Sequence, residues 1–514
     1  MSSASSVDPG ILVLTRDVGG KEREEREERE ERLANTHPAD WRNPKPRATY
    51  HLLVIGAGPA GMVAARAAAA QGAHVAVIER HQLGGGSLND GCIPSKSLIR
   101  TGRLLADMRN AKNFGALAPT APVFDFAAAM LRMRHITTRI SRNDSAMNLA
   151  REGIHLFFGS ARFTGPDTVD VEGVRLSFNK ALIATGSSPV LPDIPGLAEA
   201  GFLTNKTVFE LQVLPKSLLV IGGGPFGCEL AQVFARFGSR TLISHSQPLF
   251  LPREERDAAQ MLSDAMARDG VEIHLNSTVT RVRLEGGKKV VELLSGGNTA
   301  TTSVDEILTG IGRLPTLQGL SLEAAGVSYD AQAGIHVDDF LRTSNPRIFA
   351  AGDVCLAHQF TNTATASARI VVRNALFRGR QRMSSLTIPW CTYTDPEIAH
   401  VGLYVTQARQ QRIPVKTFTI PMNDVDRAIT DSEEDGFVKI HVGEASDKIL
   451  GATIVARHAG EMINSISLAM VAGIGLGTLA TVVQAYPTQG AAIRQAADAY
   501  ARTRLSPSAF ADKS

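Results

Sequence analysis

The chain is predicted to be an α/β protein with two dinucleotide-binding units and a separate C-terminal α+β domain. Three observations predict it. Its 514 residues exceed what one hydrophobic core supports and suit about three domains of ordinary size. Two segments, His51–Glu79 and Leu218–His245, repeat one plan of apolar strand, glycine turn, helix and second strand. From Ile388 the pattern changes to alternating strands, over Phe437–Val442 and Ile449–Ala456, followed by helices.

Composition narrows the class before any motif is read. Hydrophobic residues at 44% and charged residues at 20% suit a soluble globular enzyme, and a net charge of +3 gives no electrostatic reason to bind nucleic acid or an anionic membrane. Cys92, Cys228, Cys355 and Cys391 are too few and scattered for a disulfide framework, and no pair has zinc-site spacing. A reducing, cytoplasmic setting without a metal centre is therefore expected. No basic segment leads into an apolar stretch at the N-terminus, and Ile11–Leu14 is too short for a signal peptide.

Taken in order, the first element is KEREEREEREER at Lys21–Arg32, which places Glu and Arg at i,i+3 and i,i+4. It is compatible with a solvated single helix or a docking arm; the expectation is a mobile polar extension. Pro38, Pro44 and Pro46 mark a linker, with order beginning near Tyr50. The first unit then carries VIGAGPAG, with Gly56, Gly58 and Gly61 in the spacing G-x-G-x-x-G. Such glycines permit a tight turn, let backbone approach a pyrophosphate at the helix N-terminus, and let helix pack on strand. Glu79 closes the next strand, where a carboxylate can hold ribose hydroxyls.

The second unit repeats the turn as VIGGGPFGCE, with Gly222, Gly224 and Gly227, but its second strand ends in His245 and Ser246. Without an acid there, the usual cause of a preference for NADH is missing, and the balance leans to NADPH. His245 either meets a 2′-phosphate or is a solvent-facing strand end. Cys228 reads as a packing residue. Ile466–Val483 is uncharged and near membrane-spanning length, but Gly473, Gly475 and Gly477 and the interspersed serines and threonines favour a buried interface segment over a membrane span.

Five further motifs sharpen the reading: GGGSLNDGCIPSK at 84–96, ATGSSP at 184–189, GIGRLP at 310–315, AGDV at 351–354 and WCTYTDPEIAHVG at 390–402. Their order and spacing resemble the flavin-dependent pyridine nucleotide–disulfide oxidoreductases over about residues 48–505, most closely the branch of mercuric and dihydrolipoamide enzymes. The resemblance implies an FAD-binding Rossmann-like domain (49–190 and 313–386) split by an NAD(P)-binding one (191–312). A dimerisation domain (387–505) would follow, flanked by a polar extension (1–48) and a tail (506–514), and would make a homodimer. It assigns the first glycine turn to FAD and the second to NAD(P)H. It also puts Gly159, Thr185, Gly186, Ser187 and Asp353 beside FAD and Gly312 beside the nicotinamide nucleotide. Lys96 and Glu229 match a pair beside the flavin N5, where a cation stabilises charge accumulating on reduced flavin. Cys92 matches the thiol that touches the flavin, with a helix start beside it.

Three positions depart from the family pattern. Ser87 stands where the other thiol of the redox pair belongs, and a hydroxyl neither forms nor attacks a disulfide as a thiolate does. Near the C-terminus the family's H-P-T-x-x-E reads Tyr486-Pro487-Thr488-Gln489-Gly490-Ala491. A tyrosine is a poor base at neutral pH, alanine orients nothing, and Tyr486 reads as an interface residue or a hydrogen-bond donor to substrate. The closing SPSAFADKS lacks the cysteine pair of mercury-reducing relatives. Cys355 and Cys391 read as packing residues. The expected function is an NAD(P)H oxidoreductase in which hydride reaches FAD and electrons then pass to a small acceptor such as oxygen or a quinone. Alternatives are a single-thiol redox enzyme using Cys92 and a non-catalytic flavin-binding module.

Overall fold

The computed structural model of the chain describes residues 5–8, 11–13, 18–116 and 123–505; the tail at 506–514 lies outside them. The first sheet is built on four parallel neighbours in the order His155–Phe158, Val75–Glu79, Tyr50–Ile55 and Val174–Ile183. Leu52–Ile55 is an uninterrupted apolar run because it lies between two such neighbours with both faces covered. The alanines of the helix Pro59–Ala69 (Ala60, Ala64, Ala65 and Ala68) are buried, so the helix packs closely on the sheet. Strand Ile348–Ala350 joins the far side of Val174–Ile183, also in parallel. The chain therefore leaves the first sheet, builds the second unit, and returns.

The second unit is a four-stranded parallel sheet in the order Val271–His274, Arg240–Ser244, Ser217–Ile221 and Glu306–Thr309. An antiparallel meander, Ser277–Glu285, Lys288–Ser295 and Asn298–Val304, is appended to it. Helix Pro225–Phe237 is buried on nearly every side. Its Arg236 pairs with Asp269 of its own unit at 2.9 Å and with Asp395 of the C-terminal unit at 2.8 Å.

The C-terminal unit is a five-stranded antiparallel sheet that includes Phe437–Gly443 and Ile449–Ala456, as expected, backed by the helices Ala459–Ala472 and Ala491–Arg502. Within the apolar run 466–483 the first helix stops at Gly473, whose φ of 69° is open to glycine. Among the described residues no helix is long and apolar enough to cross a membrane. Leu468 and Val471 on that helix, with Val483 and Tyr486 beyond it, stand 67–91% exposed.

The N-terminal expectation is overturned. Val18–Thr36 is one helix lying against Phe126–Ser141, with Glu25 bonded to Arg134 and Glu31 to Arg142, each at 2.7 Å. Nor does order wait for Tyr50. Trp41 donates from Nε1 to the Leu156 carbonyl, and Asn43 both donates to and accepts from the Phe158 backbone. The charge run lacks an apolar face and docks instead through partners about a hundred residues away.

Candidate functional site

Both glycine turns are built alike. Gly56 and Gly222 adopt φ of 101° and 109°, and a Cβ on either would press into a carbonyl of the neighbouring strand end, Ala184 or Gly310. Gly58 and Gly224 cap helices that open with proline, and Gly61 and Gly227 pack against the turn that precedes them. The latch differs. In the first turn the Ala57 amide donates to Glu79 Oε2 at 2.8 Å, while Oε1 accepts from the His81 amide at 2.8 Å. In the second the Gly223 amide donates to His245 Nδ1 at 3.2 Å.

His245 is thus not a solvent-facing strand end. It occupies the acid's place in the turn as a neutral acceptor. Burial lowers its pKa, opposed by the Leu249 carbonyl, and its buried Nε2 makes no hydrogen bond. A protonated imidazole would have no lone pair left for the amide.

A cleft of about 720 Å³, within the usual range for a ligand pocket, opens at the first turn. Gly56, Gly58, Glu79, Thr185, Gly186, Ser187 and Asp353 line it, as do Ser87 and Cys92 of the loop that matches the family's redox loop. Gly61 lies behind the turn. Gly159 is also off the cleft wall; its amide donates to the Glu79 carbonyl at 2.9 Å and so fixes the strand end from behind. The Ser187 hydroxyl donates to Asp353 Oδ2 at 2.6 Å.

Arg313 was missed in the sequence although it follows Gly312. Its guanidinium reaches the same cleft, donating from Nε to Ser187 Oγ and from Nη2 to the Ser187 carbonyl, both at 2.8 Å. Gly312 accepts from the Val190 amide at 3.0 Å, which joins the two connections between the units. Nothing local to GIGRLP marks the arginine; the fold alone brings it to the cleft.

Cys92 begins the helix Cys92–Asn110 and is exposed. Thr361, another residue the sequence gave no reason to choose, lies between the two redox-loop positions. Its hydroxyl donates to Ser87 Oγ at 3.1 Å and sits 3.5 Å from Cys92 Sγ. One helical turn beyond Cys92, Lys96 Nζ bonds Glu229 Oε2 at 2.8 Å and stands 4.6 Å from the centre of the Tyr393 ring. Glu229 Oε1 accepts the Tyr393 amide at 2.8 Å, so one buried carboxylate organises both groups. Burial opposes the Lys96 ammonium, but Glu229 and then Cys92 outweigh it and raise its pKa. Lys96 is held as a cation.

The remaining cysteines behave as packing residues. Burial pushes the thiols of Cys228, Cys355 and Cys391 up, aided at Cys391 by Glu397 and Glu229. Tyr486 lies well exposed on the C-terminal unit and donates its phenol proton to Asp426 Oδ2 at 2.7 Å, a bond that raises its pKa. Ala491 opens the last helix.

Comparison with known proteins agrees with this layout. Residues 50–369 match the family described as pyridine nucleotide-disulphide oxidoreductase, and residues 388–497 match its dimerisation domain. A mercuric reductase from Bacillus cereus is 34% identical over 449 residues, covering 87% of this chain and 71% of the relative. A dihydrolipoyl dehydrogenase from Thermus scotoductus is 32% identical over 455 residues, covering 88% and 97%. Among solved structures, the HOCl-induced flavoprotein disulfide reductase RclA from Escherichia coli superposes with a TM-score of 0.79 at 30% identity, covering 87% of this chain and 99% of that one. The chain therefore belongs to the pyridine nucleotide-disulphide oxidoreductase family, whose members are FAD-dependent and use NAD(P)H.

Proposed function

We propose that the protein is an FAD-dependent NAD(P)H oxidoreductase that delivers electrons to a small acceptor, such as oxygen, a quinone or a one-electron oxidant, without a dithiol. The observation that carries this reading is the intact Lys96–Glu229 pair in a site where Ser87, Tyr486 and Ala491 replace the dithiol machinery. The cleft at the first turn suits the cofactor: a tight glycine approach, a carboxylate at the strand end for ribose, and the Ser187–Asp353 pair within one wall. Bound FAD supplies a carrier that takes two electrons as hydride and can release them singly or together.

This chain's residues supply the surroundings. Glu229 fixes Lys96, and the fixed ammonium offers a positive charge one helical turn from the cleft wall, suited to the negative charge of a reduced ring. Ser87 accepts from Thr361 and holds its loop without redox chemistry. The exposed apolar residues of the C-terminal unit supply the face of a homodimer, in keeping with its dimerisation-domain match. Four unpaired thiols suit the cytoplasm.

Anaerobic addition of NADPH or NADH is expected to bleach the bound flavin, and the reduced protein to pass electrons to ferricyanide or a quinone. Cys92→Ser should leave that flow within about threefold, because Lys96 and not the thiol supplies the charge. One specific observation favours a second reading. Cys92 is exposed on the cleft wall beside a hydroxyl: a peroxide acceptor would break its O–O bond on the thiolate, releasing water or alcohol and leaving a sulfenic acid to be returned to the thiol, with loss of water, by the electrons of reduced flavin. Loss of all acceptor reduction in Cys92→Ser, with FAD retained, would establish that reading instead. Flavin that stays oxidised under both nucleotides would point to a binding module.

Preference for NADPH rests on the missing acid alone, since a neutral His245 brings no charge to a 2′-phosphate. His245→Glu is expected to rebuild the latch seen at Ala57 and Glu79 and shift the ratio of kcat/KM values toward NADH by about tenfold or more. An unchanged ratio would mean that nucleotide choice is made elsewhere.

A further inference from the structure

The family match begins at residue 50, yet the segment before it touches the cleft. Leu33 and His37, at the end of the N-terminal helix and just beyond it, line the same wall as Glu79, Arg80 and His81. That is the strand end at which a ribose would be held. Three contacts fix the segment there. The Leu83 amide donates to the Thr36 carbonyl at 3.0 Å, and the Thr36 side chain is fully buried. The His37 ring stacks on Phe158 at 4.1 Å, with Nδ1 against the His81 carbonyl. Farther up the helix, the Glu25–Arg134 and Glu31–Arg142 pairs tie it to Phe126–Ser141.

We propose that this helix is a clamp on the dinucleotide: Leu33 and His37 form the outer wall over the adenosine half of the ligand, and the two ion pairs hold that wall in place. The proposal rests on the reading that the first glycine turn takes FAD. Leu33 supplies an apolar face and His37 a ring edge next to the carboxylate meant for ribose, a chemistry that fits an adenine nucleotide. The glutamates lie on a run with no apolar stripe, so charge, including Glu28 against His135 at 2.9 Å, fixes the body of the helix while Thr36 and His37 anchor its end. Salt should therefore loosen the solvent-exposed Glu31–Arg142 pair first, the Debye length falling to about 10 Å at 0.1 M, and the more shielded Glu25–Arg134 pair less.

The experiment measures FAD release from the full-length protein on dilution, by the recovery of flavin fluorescence, at low and high salt. Glu25→Arg with Glu31→Arg turns two attractions into repulsions and should speed release by about tenfold at low salt. Adding Arg134→Glu and Arg142→Glu should return release to within about threefold of the parent, a rescue that general destabilisation would not give. His37→Ala leaves the two ion pairs in place but removes part of the wall itself, and should also speed release and weaken binding of ADP. In hydrogen exchange, ADP should protect the backbone around residues 33–37.

Release at the parental rate in both the charge-reversed and His37→Ala proteins, without protection by ADP, would overturn the clamp while leaving the FAD reading standing. A parent protein that binds neither FAD nor ADP would overturn both.

Discussion

Lipoamide, glutathione disulfide and Hg(II) are expected to be reduced at least about a thousandfold more slowly than by a dithiol enzyme of the family. The Ser87 hydroxyl is engaged by Thr361, and no second sulfur faces Cys92 across the loop. The distant half of the machinery is expected to contribute nothing either, because the Tyr486 phenol donates its hydrogen bond to Asp426 and an alanine at 491 has no group with which to orient it. Ser87→Cys should restore a reducible disulfide with Cys92, seen as two fewer titratable thiols in the oxidised protein. Turnover should stay poor. NADPH consumption driven by any of the three substrates at ordinary enzymatic rates in the parent protein would refute this, as would full activity from Ser87→Cys alone.

Substituting Gly58 with leucine should yield a folded, colourless protein. Its φ of −76° is open to any residue, and a Cβ would find its nearest neighbour, the Gly85 Cα, at an ordinary 3.8 Å. The rest of a leucine side chain, however, must enter the cleft where pyrophosphate is expected. Gly56→Ala is the informative contrast. Its backbone is left-handed and its Cβ would collide with the Ala184 carbonyl, so the turn itself should fail. The ratio of flavin to protein absorbance, read beside circular dichroism, separates the two. Full FAD in Gly58→Leu would remove the cleft as the cofactor site.

These contrasts explain what the sequence discloses and what it hides. The glycine turns are legible because strand, turn and helix are local, although the carbonyls that exclude a side chain at Gly56 and Gly222, those of Ala184 and Gly310, come from far along the chain. Lys96 and Glu229 are legible through motif position alone, and the fold brings the two side chains to 2.8 Å. The N-terminal helix was not legible, because its partners Arg134 and Arg142 carry no mark that couples them to Glu25 and Glu31. The part His245 plays in the turn is hidden for a related reason. A histidine at a strand end is an acceptor only if the turn presents an amide to it, and that depends on how sheet and turn meet. Arg313 and Thr361 reach the cleft from segments far along the chain, where only the tertiary fold brings them together.

The return of Ile348–Ala350 to the first sheet bears on the order in which a nascent chain is finished. The second unit draws its four parallel strands from one continuous stretch, Ser217 to Thr309, and can close as soon as that stretch leaves the ribosome. The first unit waits. Its glycine turn emerges early, but the strand beside Val174–Ile183 and the aspartate at 353 arrive only after the second unit is complete. Because contacts so distant in sequence form slowly, the unit translated first should be assembled after the second, and a ligand held by Asp353 must await that residue.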